Sequence, residues 1–191
     1  MSEKIFNPQN AHKLDNPERL KWNNPKKLFF LFNTAAKSNI VEIGVGTGFF
    51  TLTLAKQFPE YFFTGLDISS EMIEHFNKKA YEKKLTNIKS GICSDDILNI
   101  ENSSADIIFM SNVYHEVGNH EKMLQNINNA LKPGGKVIII DWKAAETPSG
   151  PPQHERIHFL KVQDDLKLAK FSNIQTFNDI YPFHHIVCGQ K

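Results

Sequence analysis

The sequence predicts an α/β domain in which a mostly parallel sheet is covered by helices on both faces, giving three layers. Three observations lead there. Strand-like apolar runs alternate with helical stretches between residues 39 and 141. The central runs, Ile107-Ile108-Phe109-Met110 and Val137-Ile138-Ile139-Ile140, are continuously apolar, as strands buried on both faces are. The first strand also runs into alternate glycines, Gly44, Gly46 and Gly48, from which an apolar-periodic helix departs.

Taken in order, residues 1–35 read as a helical lead-in or lid to a single domain spanning 1–191. Asp15 or Asn16 caps a helix with Pro17 at its first position, and Asn24-Pro25 opens a second helix through Leu28-Phe29-Phe30-Leu31-Phe32. Phe6, Trp22, Phe29 and Phe30 suit either a lid over an apolar ligand or packing on the sheet. Strands are expected at 39–44, 61–67, 88–93, 105–111 and 135–141, with helices at 47–58, 70–84 and 119–131 between them. The Pro- and Gly-rich stretch 146–152 is a loop, and a helix follows at about 154–170. Strands at 173–179 and 183–188, separated by Tyr181-Pro182, form an antiparallel hairpin at the sheet edge. His184 and His185 alternate in that last strand, so only one is expected to face inward.

Composition bounds the function classes. A chain of 191 residues, 40% apolar, suits one domain with a full core. Its 22 basic and 21 acidic residues leave a net charge of +1, which gives no reason to expect a nucleic-acid partner. Cys93 and Cys188 form no Cys-x-x-Cys pair, so neither a disulfide nor a zinc framework is supported, and no metal is expected. No apolar run reaches the roughly 18 residues of a membrane span, and no signal-peptide core follows Met1. A soluble, cytoplasmic protein with no membrane partner is expected, and the sequence carries no signal of its oligomeric state.

The glycine turn is a nucleotide-type binding loop, and its neighbours discriminate among ligands. A phosphate-binding loop needs Gly-Lys followed by Ser or Thr, but Gly48 is followed by Phe49 and residues 42–55 contain no basic residue. A dinucleotide fingerprint needs a glycine three places after its second, where Phe49 again stands. S-adenosylmethionine, which has no phosphates, fits both facts. A helix starting near Thr47 would offer N–H groups and a positive dipole end to its tail carboxylate, and Glu42 would face its ammonium. Asp67 ends the second strand, where an acidic side chain accepts from two ribose hydroxyls.

The ordered pieces Val41-Glu42-Ile43-Gly44-Val45-Gly46-Thr47-Gly48, Leu66-Asp67-Ile68-Ser69, Ser94-Asp95-Asp96, Ala105–Asn112 and Leu131-Lys132-Pro133-Gly134-Gly135 resemble the class I S-adenosylmethionine-dependent methyltransferases. The likeness is greatest to the small type that includes ubiquinone and menaquinone biosynthesis enzymes. It implies a Rossmann-like seven-stranded sheet with an antiparallel last strand, and methyl transfer from S-adenosylmethionine to a small-molecule acceptor. A non-catalytic S-adenosylmethionine-binding regulator and a nicotinamide-dependent oxidoreductase are the alternatives. By the same resemblance Glu42, Gly44 and Gly46 line the methionine part, Val45, Gly48 and Asn112 also line the cofactor, Asp67 holds the ribose, and Ile68 and Met72 pack on the adenine. One of Ser94, Asp95 and Asp96 meets the adenine amino group; the family often has Gly-Asp-Ala there, and this chain departs from it.

For the acceptor, Tyr114, His115 and Glu116 follow the fourth strand and are the candidate catalytic set, with His115 able to take a proton near neutral pH. Trp142, His154, Arg156 and His158 are candidates for acceptor binding, because the segment after the fifth strand covers the site in related methyltransferases. His154-Glu155-Arg156-Ile157-His158 also matches the zinc-protease pattern, but Lys161 and Asp164 stand where one zincin class needs Gly and His, and no Glu follows Glu155.

Overall fold

The structure, a computed structural model, describes residues 7–32, 34–94 and 97–191. Its strands are β1 (Asn39–Ile43), β2 (Phe62–Asp67), β3 (Ile88–Ile92), β4 (Ala105–Ser111), β5 (Leu131–Trp142), β6 (Ser172–Phe177) and β7 (His184–Gln190). They form one sheet in the order β3-β2-β1-β4-β5-β7-β6. β1 through β5 pair in parallel, and β7 lies antiparallel between β5 and β6. The expected seven-stranded, Rossmann-like α/β sheet with an antiparallel last strand is therefore present. The hairpin sits at the edge, but its second strand is the inner one.

That insertion corrects the reading of His184 and His185. β7 is covered on both faces, so both histidines are buried.

The helices are α1 (Ala11–Leu14), α2 (Arg19–Trp22), α3 (Thr51–Gln57), α4 (Ser70–Glu82), α5 (His120–Ala130) and α6 (Phe159–Leu168). Alternation along the strands divides the core. Val41, Ile43, Ile108, Met110, Val137 and Ile139 pack with Leu124 and Ile127 of α5 and Val162 and Leu166 of α6. Ile40, Ile107, Phe109, Ile138 and Ile140 pack with Leu28, Leu31 and Phe32 and with Leu54 of α3. Burying a side chain of this size contributes about 1.5–3 kcal/mol. The second helix of the lead-in is a 3-10 helix, Pro25–Phe32.

Two boundaries differ from expectation. α3 starts at Thr51 rather than near Thr47, because residues 45–48 close a turn in which Gly48 N–H donates to the Val45 carbonyl at 2.9 Å. α6 starts at Phe159 rather than near 154. Pro152 leads into a 3-10 turn, Gln153–Glu155, and His158 is the N-cap of α6, its Nδ1 accepting from Leu160 N–H at 3.3 Å. The two histidines of the protease-like pattern therefore do not share a helix face. Among the described residues, no helix is long and apolar enough to cross a membrane.

Candidate active site

The carboxyl ends of β1, β2, β4 and β5 share one crevice, as parallel strands require. At its centre the glycine turn is fastened to β2. Val45 N–H donates to the Leu66 carbonyl at 2.8 Å, and Gly46 N–H donates to Asp67 Oδ2 at 2.8 Å. Asp67 Oδ1 accepts from Ser69 N–H at 3.0 Å. Burial pushes the Asp67 carboxyl up, and the N–H groups of Ser69, Gly46 and Ile68 oppose that rise.

Gly46 and Gly48 occupy the left-handed region, with φ of 52° and 85°. A Cβ on Gly48 would lie 2.6 Å from Phe76 Cδ2, whereas one on Gly46 would meet only Leu14 Cδ1 at 3.2 Å. Gly48 is thus fixed by packing and Gly46 by its backbone conformation and the approach of its neighbours.

Glu42 is buried and turned toward α3. Its Oε2 accepts from Thr51 N–H at 3.1 Å and from Thr51 Oγ1–H at 2.5 Å, so it does for α3 what an N-cap side chain would. Burial raises its carboxyl to about 8, against the opposing hydrogen bonds from Thr51 and the charge of Arg19. Arg19, a buried cation on α2, was missed in the sequence. Its guanidinium carbon sits 4.1 Å above the Phe49 ring, and burial lowers it to about 10 against the charges of Glu42 and Asp15. Asp15 also accepts from Thr47 Oγ1–H at 2.6 Å and pairs with Lys79, so the lead-in is latched to the glycine turn and to α4.

The remaining cofactor candidates divide. Ile68 is 47% exposed at the end of β2, available to cover a ligand, whereas Met72 is buried. Ser94 closes a turn, its Oγ accepting from Ile97 N–H at 3.1 Å and its own N–H donating to the Ile97 carbonyl. Asp95, Asp96 and Phe6 lie outside the described residues. Asn112 has φ 59°, donates its N–H to the Ile140 carbonyl at 2.9 Å, and buries an Oδ1 with no partner. Such backbone strain beside an orphaned acceptor is common at ligand sites.

Of the expected catalytic set, His115 is held best. Its Nδ1 lies 2.8 Å from Asp141 Oδ1, and its N–H donates to Asp141 Oδ2 at 2.9 Å. Burial pulls His115 down, but the hydrogen bond and charge of Asp141, with Glu116 and Glu155, outweigh it and leave the imidazole raised. Burial would raise Asp141, yet His115 and the N–H of Trp142 hold it low. Asp141 was not anticipated. The only signal was an acid near the end of an otherwise apolar strand, and its partner lies 26 residues earlier, in the 3-10 turn Tyr114–Glu116 that follows β4. Glu116 Oε1 is 3.8 Å from His115 Nε2. Tyr114 is fully buried, its hydroxyl donates to Asp165 Oδ2 at 3.0 Å, and burial pushes the phenol far up.

The acceptor-binding candidates divide in the same way. Trp142 is buried, its ring 5.6 Å from Trp22 and 4.2 Å from His184. Arg156 forms a clasp on its own loop. Its guanidinium donates to the carbonyls of Pro151, Lys143, Ala145 and Ser149 and stands 5.5 Å over Trp142, folding the loop onto that ring. His154 is 80% exposed on its side chain, and His158 is spent on the cap of α6.

Comparison with known proteins agrees with this geometry. Residues 35–188 match the family described as a methyltransferase domain. Phosphoethanolamine N-methyltransferase 2 of Caenorhabditis elegans is 28% identical over 80% of this chain and 36% of its own. Malonyl-[acyl-carrier protein] O-methyltransferase of Priestia megaterium is 31% identical over 79% of this chain and 52% of its own. The chain therefore spans between about a third and a half of these curated relatives. A SAM-dependent methyltransferase from Aquifex aeolicus superposes with a TM-score of 0.88 at 25% identity, covering 97% of this chain and 99% of that one. A family match across most of the sequence, on a sheet whose crevice holds a glycine turn bonded to Asp67, shows that the chain belongs to the methyltransferase domain family.

Proposed function

We propose that this chain transfers a methyl group from S-adenosylmethionine to a small-molecule acceptor. The observation that carries this reading is the bond from Gly46 N–H to Asp67, which makes the glycine turn and the acid that ends β2 one preformed unit. Backbone N–H groups use part of the Asp67 carboxylate, and a carboxylate has about four acceptor sites. The rest suit ribose hydroxyls. Arg19, a buried cation close enough to Glu42 to feel its charge, suits the carboxylate of a zwitterionic amino-acid tail. When bound, S-adenosylmethionine supplies a methyl carbon already activated by its sulfonium.

The chain's own work is then mainly positioning. Residues 7–32 act as a lid, latched by Asp15 to Thr47 and Lys79. Asp141 orients His115 through Nδ1, which leaves Nε2 to take a proton from an acceptor that must lose one. Incubation with methyl-labelled S-adenosylmethionine and a panel of hydroxyl, amine and thiol acceptors tests the reading. Label should move to an acceptor as S-adenosylhomocysteine appears. A chain that binds S-adenosylhomocysteine yet moves no label across the panel would instead support the non-catalytic alternative.

A further inference from the structure

The turn that carries His115 is too short to hold its own position. Tyr114–Glu116 is a three-residue 3-10 helix, closed by Glu116 N–H donating to the Val113 carbonyl at 2.8 Å and by a longer bond from Val117 N–H to the Tyr114 carbonyl at 3.3 Å. A single helical turn is not stable alone in water, so neighbouring elements must fix it. From β5, Asp141 accepts from the His115 N–H and holds its Nδ1. From α6, Asp165 Oδ2 accepts from the Tyr114 hydroxyl at 3.0 Å. From α5, His120 Nε2–H donates to the Tyr114 carbonyl at 2.9 Å, and its ring stacks on the Tyr114 ring with centroids 4.3 Å apart. Consecutive residues, Tyr114 and His115, thus tie the turn to different elements.

Asp165 is a costly residue for its place. It is a buried carboxylate on α6, beside the fully buried Val162 and Leu166. Lys161 Nζ pairs with its Oδ1, and His120 Nδ1 stands 3.9 Å from its Oδ2. Apolar residues of similar volume often replace such a buried ionic group with no loss of stability, so stability alone does not account for an acid here. A hydrogen bond adds what an apolar contact lacks, a preferred direction. α6 also follows directly on the loop that Arg156 clasps, and Glu155 of that loop acts on His115 by its charge. The bond from Tyr114 to Asp165 therefore ties the His115 turn to the helix on which that loop ends.

We propose that Asp165 is a positioning residue: through the Tyr114 hydroxyl it fixes the angle at which the turn presents His115 to Asp141. This rests on the reading of His115 as the group that takes a proton from the acceptor, and names a residue that holds it there.

Imidazole titration of the full chain by NMR reads that position without any acceptor, the His115 signal being identified by its loss in His115→Gln. Asp141, Glu116 and Glu155 are the charged groups that act on His115, and all three stay in place in the test variants. In the wild type, His115 should titrate above the ordinary imidazole value. Tyr114→Phe removes one oxygen and no charge, and should lower that titration by about half a pH unit or more. Tyr114→Phe combined with Asp165→Leu makes both buried partners apolar, so its Tm should stay within about 4 °C of the wild type. The double variant should nevertheless show the same fall in the His115 titration, which a merely structural role for Asp165 would not produce. With an acceptor in hand, both variants should lose about fivefold or more in kcat at unchanged KM and unchanged S-adenosylhomocysteine affinity. A wild-type His115 titration in Tyr114→Phe, or in a double variant of wild-type stability, would overturn the proposal. Tyr114→Phe decides the matter even if the double variant does not fold. A wild-type chain that moves no label would count against the methyltransferase reading, and the titration would still decide whether Asp165 positions His115.

Discussion

Alanine at Gly48 and at Gly46 should separate the two roles of the glycine turn. At Gly48 a Cβ would stand 2.6 Å from Phe76 Cδ2 and 2.7 Å from Leu52 Cγ, both buried, at a φ of 85°. Left-handed backbone costs about 1–2 kcal/mol for a residue with a Cβ, and overpacking a filled core costs about 1–3 kcal/mol. Gly48→Ala should therefore lose about 2–5 kcal/mol, or roughly 4–20 °C in Tm at the ~2–4 °C per kcal/mol expected for a chain of this size. At Gly46 the φ of 52° imposes similar backbone strain, but the contact is with the movable end of Leu14 at 3.2 Å. Gly46→Ala should lose only about 1–2 kcal/mol. Its methyl group stands where the cofactor approaches the main chain, so S-adenosylhomocysteine affinity should fall more than tenfold with the fold intact. Thermal melts and calorimetry on the two variants read both effects. A Gly46→Ala melt as low as that of Gly48→Ala, or wild-type affinity in Gly46→Ala, would refute the reasoning.

Stability should peak near pH 6.5. His184 and His185 are lowered by burial to about 3 and 4, so acid protonates them in the unfolded chain first and stability is lost as pH falls below their unfolded value. Glu42, raised by burial to about 8, works the other way: the folded chain keeps its proton, and stability is lost as pH rises from the unfolded value toward 8. Each unmatched proton is worth about 1.4 kcal/mol per pH unit. Urea midpoints across pH 5–8 should show the peak, Glu42→Gln should flatten its alkaline side, and a flat wild-type profile would contradict it. Asp141→Asn removes a buried partner of His115 and should cost about 3–5 kcal/mol. It should also shift the pH dependence of any proton-coupled methyl transfer toward acid, because the raised imidazole falls; an unmoved profile would take His115 out of the chemistry. Arg156→Lys cannot reproduce a planar fork on several carbonyls, so limited proteolysis should cut the loop at 143–158 faster than in the wild type.

The sheet was legible because buried parallel strands are written as unbroken apolar runs, and Ile107–Met110 and Val137–Ile140 occupy adjacent central strands. The glycine turn and Asp67 were legible for a related reason: short spacings at strand ends determine what shares a crevice. What escaped notice depends on contacts across the chain. Arg19 meets Glu42 only after the lead-in folds back, and Asp141 meets His115 only because the turn after β4 lies against the end of β5. Insertion of β7 inside its own hairpin buried both His184 and His185, which strand alternation alone does not reveal. Arg156 looked like a ligand-binding residue because sequence shows its charge and hides the carbonyls it holds.

The central claim is that the glycine turn and Asp67 form one S-adenosylmethionine cradle. Titration calorimetry of the wild type and Asp67→Ala with S-adenosylhomocysteine tests it most directly. The account predicts one site per chain in the wild type and a loss of affinity of at least a hundredfold in the variant, about 2.7 kcal/mol. Equal affinity in the two proteins would contradict it.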